Sequence, residues 1–229
     1  MLASVLPVMY LNVFSDVRLD PLYRTLLGQF IEVLIIIFFI TGIRWWDKIG
    51  ITRGFDLKSL AYMLPFLLLI GLMLTDGIKT AEPLRFGVFF ILAAFTGFCE
   101  ETMFRGVIYN TLRKHGRFFA ILFSSFLFGL AHMLNLFTGV DIRVALLDVL
   151  GTFGFGLVFA AAYEYTGTLL PLIVVHALID FSSYITRDYI MTEAPENYSG
   201  DSIQTSLILA AILIVWGIGV LTVKKKPAI

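Results

Sequence analysis

The sequence predicts an all-α protein, a polytopic transmembrane helix bundle of seven or eight spans, on three observations. Of the 229 residues, 59% are hydrophobic and only 15% are charged, and mean hydropathy is +0.89. A soluble domain carries about a quarter charged residues. Apolar runs long enough to cross a bilayer alternate with short polar loops, and hydrocarbon admits only helices or closed barrels. Bases gather in alternate loops, as they do in chains inserted with one orientation.

The elements follow from hydropathy. Residues 1–14 are apolar but short for a span of ~20 residues, so they are read as an interfacial helix, a re-entrant piece or a tilted extra span. Asp16, Arg18, Asp20, Pro21 and Arg24 break the run. The first secure span is 26–43, with Trp45 and Trp46 placed as interfacial anchors. The second is 60–74, kinked at Pro65. The third, 84–112, is longer than a bilayer needs and must tilt or project. Arg113 to Arg117 form a basic turn. The fourth span is 118–137, the fifth 144–163, the sixth 168–185 and the seventh 203–223. Gly151, Gly154, Gly156 and Ala160 to Ala162 line the fifth with small residues, which let membrane helices approach closely. No internal repeat is seen, and no separate cleavable signal peptide is expected.

Alternation puts ten bases on one side of the membrane, including Lys224, Lys225 and Lys226, and six on the other. The C-terminus is therefore expected in the cytoplasm. The formal net charge is zero, from 17 bases and 17 acids, so nothing points to nucleic acid. The single Cys99 excludes an internal disulfide and a cysteine metal cage.

Within the third span lies Phe98-Cys99-Glu100-Glu101-Thr102-Met103-Phe104-Arg105-Gly106. A charge at mid-bilayer costs from ~2.5 to more than 10 kcal/mol, so three close together mark a working site that faces a bundle interior or water. Glu101 and Arg105 are four apart, acid first, and can pair on one helix face. Glu100 is turned about 100° away and is free to address something else.

Two further polar pairs interrupt the spans, Phe128 with His132 in the fourth and His176 with Asp180 in the sixth. Each is an i, i+4 pair on one helix face. Asp180 is expected to accept from a ring nitrogen of His176 and fix its tautomer. His115 stands in the basic turn and is read as surface. Counted at 1.5 Å per residue from the cytoplasmic ends, Glu100 lies ~18 Å deep, Arg105 ~10 Å, His132 ~21 Å and His176 ~12 Å. These depths suit one cavity opening toward the cytoplasm.

A carboxylate and a neutral imidazole shielded from bulk water can deprotonate a trapped water, and a second histidine can stabilise the oxyanion that forms. Ser124 and Ser125 have no obvious base where the motifs converge. Cys99 adjoins two acids, which oppose the electropositive setting a thiol nucleophile needs. Alternatively Glu100, His132 and His176 are three ligands of a divalent metal such as zinc, although the H-E-x-x-H signature is absent.

The three motifs, E-E-x-x-x-R at Glu100, Glu101 and Arg105, F-x-x-x-H at Phe128 and His132, and H-x-x-x-D at His176 and Asp180, resemble those of a known family. It is the CAAX-protease and bacteriocin-processing (CPBP, or Abi) family of intramembrane proteases. The resemblance covers about residues 86–185. It implies peptide-bond hydrolysis within the membrane, as in removal of the last three residues of prenylated proteins. In that picture Glu100 and His132 activate water, His176 and Asp180 serve the oxyanion, and Glu101 and Arg105 support them. Members have been classed as metalloproteases, yet the glutamate–water scheme requires no metal. Asp180 departs from the asparagine that prenyl proteases tend to carry.

The chain then divides into 1–25, an apolar or interfacial segment or extra span; 26–83, the first membrane helices; 84–185, the catalytic core; and 186–229, a loop and last span with a basic tail. The partners expected are the bilayer and a membrane-associated peptide or protein, prenylated or a bacteriocin-like precursor, at a prokaryotic plasma membrane. Two other readings compete: a non-catalytic bacteriocin immunity or scaffold protein, and a proton-coupled transporter, which the lack of repeats does not favour.

Overall fold

The computed structural model describes residues 20–80, 82–138, 140–187 and 200–222. Residues 1–14, the acidic loop after Arg187 and the terminal lysines lie outside the described residues. The described part is helical throughout. Its principal helices are α1 (Pro21–Ile43), α2 (Lys58–Tyr62), α3 (Leu64–Thr75), α4 (Pro83–Glu101), α5 (Arg117–Ala131), α6 (Ile142–Thr166), α7 (Leu170–Arg187) and α8 (Gly200–Thr222).

Local chemistry sets the ends. Asp20 caps α1 by accepting from Leu22 N–H at 2.8 Å, and Pro21 occupies the first turn, where its missing N–H costs nothing. Arg44 ends α1 in the left-handed conformation with φ 55°. Beyond it, Lys48 Nζ lies 3.5 Å from the Trp45 ring centre, and Trp46 Nε1 donates to Thr41. Asp141 caps α6 in the same way as Asp20 caps α1.

Three elements depart from simple spans. The expected second span is two helices, broken at Met63, and its longer part has only 12 residues, ~18 Å against a hydrocarbon core of ~30 Å. Pro65 provides no N–H for continuing the helix, and Phe66 N–H turns to Met63. The third span continues from α4 through a π-helix (Thr102–Tyr109) and a last turn to His115, 33 residues in all. The fourth leaves the α-helix at Ala131 and tightens into a 3₁₀ stretch, His132–Thr138.

In all, α1, the long third span, α5 with its 3₁₀ extension, α6 and most of α8 are long and apolar enough to cross a membrane. With the broken second pass and the 18-residue α7, they fill the seven secure spans. The outer faces carry large apolar side chains such as Phe38 (83% exposed) and Val215 (70%), as lipid contact requires. The protein is an integral membrane protein.

Helix α6 is central, packed on α5 and α8, while α4 packs on α7 and α1. Small residues allow the close approach. A Cβ on Gly156 would sit 2.9 Å from Ser125, and one on Gly97 of α4 would meet the α7 backbone at 2.9 Å. Ala160, Ala161 and Ala162 are wholly buried. Gly151 meets nothing within 4 Å, so the packing stripe begins at Gly154.

Candidate active site

Helix α4 delivers Glu100 and Glu101 at its last turn, and the π-helix carries Arg105 (1% exposed) one turn on. π turns insert an extra residue into a helix and recur at functional sites. Arg105 Nη1 donates to Glu101 Oε1 at 3.0 Å, the pairing expected from their spacing. The guanidinium also lies 4.4 Å from the Phe128 ring centre and 5.5 Å from that of Phe159. Its other amine reaches Gly156 O at 3.4 Å. Aromatic faces and a carbonyl thus substitute for water around a buried cation.

Helix α7 brings His176 to the same point. Its Nδ1–H donates to Glu101 Oε1 at 2.7 Å. Its Nε2 faces two more carboxylates, Glu100 Oε2 at 3.7 Å and Asp180 Oδ2 at 3.6 Å. The rings of Phe155, Phe159 and Phe128 stand 4.8, 6.0 and 6.3 Å from the imidazole, centre to centre. Three carboxylates therefore surround one imidazole within a wall of phenylalanines.

One expectation needs correcting. The hydrogen bond that fixes the His176 ring comes from Glu101, and Asp180 stands beyond hydrogen-bonding distance. The i, i+4 spacing puts Asp180 on the right face, but the interhelical contact is shorter and takes Nδ1.

His132 lies at the other side of Phe128. Its Nδ1–H donates to Phe128 O at 3.0 Å, and its ring is 5.1 Å from that of Phe128. Among the described residues no hydrogen bond or ion pair joins His132 to Glu100, Glu101, His176 or Asp180. The structure thus gathers Glu100, Glu101, Arg105, His176 and Asp180 and sets His132 beside them, with the Phe128 ring as common neighbour.

The remaining candidates fall where expected. His115 is exposed and stacks edge-on against Phe119. Ser124 and Ser125 are buried and donate to Ile121 O on their own helix. Cys99 is buried in the core. Among the described residues, no group of three or more His, Cys, Asp or Glu side chains is placed to hold a metal ion.

Two acids on α6 escape the sequence reading. Glu164, 8% exposed, takes both Arg113 Nε and Nη2 at 2.9 Å and also accepts from Tyr109 O–H. Asp148 is half-buried and accepts a hydrogen bond from Asn135. Asp148 lies within the span read as 144–163 and Glu164 just past its end, where a span count passes over a single acid.

A polytopic helix bundle enclosing a buried carboxylate–histidine–arginine cluster is the class that this fold and site define. The family model described as type II CAAX prenyl endopeptidase Rce1-like matches residues 82–182, a segment that holds every residue of the three motifs. Residues 82–182 are thus similar to that Rce1-like model, in line with the CAAX-protease family that the motifs resemble. No curated protein matches the chain, and no solved structure does.

Proposed function

We propose that this protein is an intramembrane endopeptidase that hydrolyses a peptide bond of a membrane-associated peptide or protein through a glutamate- and histidine-activated water. The observation that carries the reading is the placing of Glu100 and Asp180 around His176 Nε2 while Glu101 holds Nδ1. It supports a site in which Glu100, beside Nε2 but outside hydrogen-bonding distance, can take a proton.

In this scheme water attacks the scissile carbonyl carbon and Glu100, aided by His132, removes its proton. The carbonyl π electrons move to oxygen. With Nδ1–H committed to Glu101, Nε2 donates to that oxyanion only in the imidazolium form. His176 therefore works as a cation, and Asp180 balances its charge from the side rather than facing the oxyanion. The oxyanion then collapses, the C–N bond breaks, and the proton held by Glu100 passes to the leaving amine. Glu101 and Arg105 hold the frame. The core is assigned to 84–185, and the scheme uses protein groups alone. The excess of bases in alternate loops supports a cytoplasmic C-terminus.

The test is cleavage, in detergent, of an internally quenched peptide ending in a farnesylated cysteine and three further residues. E100Q should lower kcat by ~10²- to 10⁴-fold, the usual contribution of a positioned base, with an unchanged melting curve. A fully active E100Q would refute the scheme.

A further inference from the structure

The side chains clustered at His176 are largely closed off. Glu100, Glu101, Arg105 and His176 are all buried, and of the cluster Asp180 alone is partly exposed. A peptide reaches Glu100 either past Asp180 or by displacing a covering element. On the side that the base count assigns to the cytoplasm, the cover is the loop from Arg44 to Gly54, between α1 and α2. Its Asp47, Lys48, Thr52 and Arg53 are exposed, but Ile49 points inward and is wholly buried. Ile49 sits on the π-helix one residue beyond Arg105: a Cβ on Gly106 would lie 3.1 Å from Ile49 Cβ. Few bonds hold the loop down. Tyr163 O–H on α6 donates to Ile49 O at 2.9 Å, Arg53 Nη1 to Gly167 O at 3.1 Å, and Leu169 N–H to Gly50 O at 3.4 Å. The two backbones touch at Gly50, where a Cβ would lie 2.1 Å from Gly167 O. Both ends of the loop turn on positive-φ residues, Arg44 at 55° and Gly54 at 77°.

We propose that residues 44–54 form a lid over the cytoplasmic end of the site, with Ile49 as its stopper and the Tyr163 hydroxyl as its latch, and that the lid lifts to admit the substrate peptide. The proposal rests on the reading of the protein as a peptidase. Tyr163 ties the latch to the site. Its oxygen accepts from Asn110 Nδ2 at 2.8 Å, and the same amide donates to Gly106 O at 2.8 Å, in the π-helix that carries Arg105. One chain of hydrogen bonds therefore runs from the lid through α6 to the turn that presents the guanidinium. The bond from Arg53 to Gly167 O is exposed, so water replaces it when the lid opens. Asp180 stands one turn farther along α7 than His176, away from the end that touches the loop. A peptide whose chain lies in the cytoplasm meets the lid first.

The experiment locks the lid. I49C and G106C are combined in a C99A background and joined by mild oxidation; their 3.1 Å Cβ separation lies just inside the ~3.5–4.5 Å usual for disulfides. The linked protein should cleave the quenched farnesylated peptide on the order of tenfold more slowly than the same protein reduced with dithiothreitol, as expected when a lid gates entry. C99A alone should respond to neither treatment. A fully linked protein as active as the reduced one overturns the lid and leaves entry past Asp180. A second arm needs no activity. With I49C in the C99A background the thiol is buried while the lid is closed, so a water-soluble maleimide reacts only on opening. Y163F removes the latch and should raise the labelling rate roughly two- to tenfold, the worth of one hydrogen bond. A rate that Y163F leaves unchanged overturns the proposal. Labelling that quickens with Y163F in a protein that cleaves no peptide upholds the lid and removes the peptidase reading.

Discussion

Glu101 and His176, 75 residues apart in sequence, share a 2.7 Å hydrogen bond between α4 and α7, and the same Glu101 oxygen receives Arg105 at 3.0 Å. One carboxylate oxygen thus joins a cation on its own helix to an imidazole on another. The bond sets the tautomer of His176 and locks the helices that present the site.

Loss of that carboxylate should be felt first in stability. E101A leaves Arg105 as a buried charge without its acid, and breaking such a pair costs about 3–5 kcal/mol. The melting temperature in detergent should fall sharply. E101Q preserves volume and one acceptor, so its melt should fall less, while peptide cleavage should still drop because the amide can also present N–H to His176. An E101A protein as stable as wild type would show that the pair contributes nothing to the fold.

Phe128 is the ring common to both histidines and the guanidinium. It is 2% exposed, and Phe104 packs on it at 5.0 Å. F128A should cost about 3–5 kcal/mol through the cavity it opens. F128L fills much of the space but loses the face over which Arg105 lies, worth ~2 kcal/mol in a desolvated setting. Thermal melts of the two variants separate volume from aromatic character.

How much of this was legible beforehand varied with the range of the contact. Hydropathy located the seven passes because a bilayer imposes one rule on every span. The Glu101–Arg105 pair was legible because it lies within one helix. The partner of His176 was not, because local spacing pointed to Asp180 and the nearer acid arrives from α4. Nothing in the apolar run around His132 announces the change to 3₁₀, which depends on α6 lying against it. Asp148 and Glu164 were hidden for the same reason: each is explained by a group on another element, Asn135 for one and Tyr109 and Arg113 for the other.

Asp180 can be tested by shape and charge separately. It is 24% exposed and 3.6 Å from His176 Nε2. If it balances an imidazolium, D180A should lower kcat on the order of a hundredfold, as loss of an oxyanion-site group does. D180N should be nearly as impaired as D180A, because an amide keeps the shape but removes the charge. A D180N protein as active as wild type would mean that the negative charge is not required.

Metal dependence has a direct check. A site that works through protein groups alone should keep its activity after 1,10-phenanthroline or EDTA treatment and exhaustive dialysis, with elemental analysis showing no stoichiometric zinc in the active protein. Activity lost to chelator and regained with zinc would replace the scheme by one in which Glu100 and the histidines serve as ligands.

The broken second pass makes a prediction away from the site. The Tyr62 carbonyl has no N–H from Phe66, which is turned to Met63, and Trp216 of α8 donates to it instead at 2.7 Å. The last helix thus completes the hydrogen bonding of a helix broken ahead of Pro65, at an exposed position where lipid offers no donor. W216F keeps the ring and removes the N–H, so it should cost about 1–3 kcal/mol, the penalty of an unsatisfied polar group. The loss should appear as a lower melting temperature and faster proteolysis near Met63, with kcat per folded molecule unchanged. W216F with a wild-type melt would mean that the Tyr62 carbonyl finds another donor.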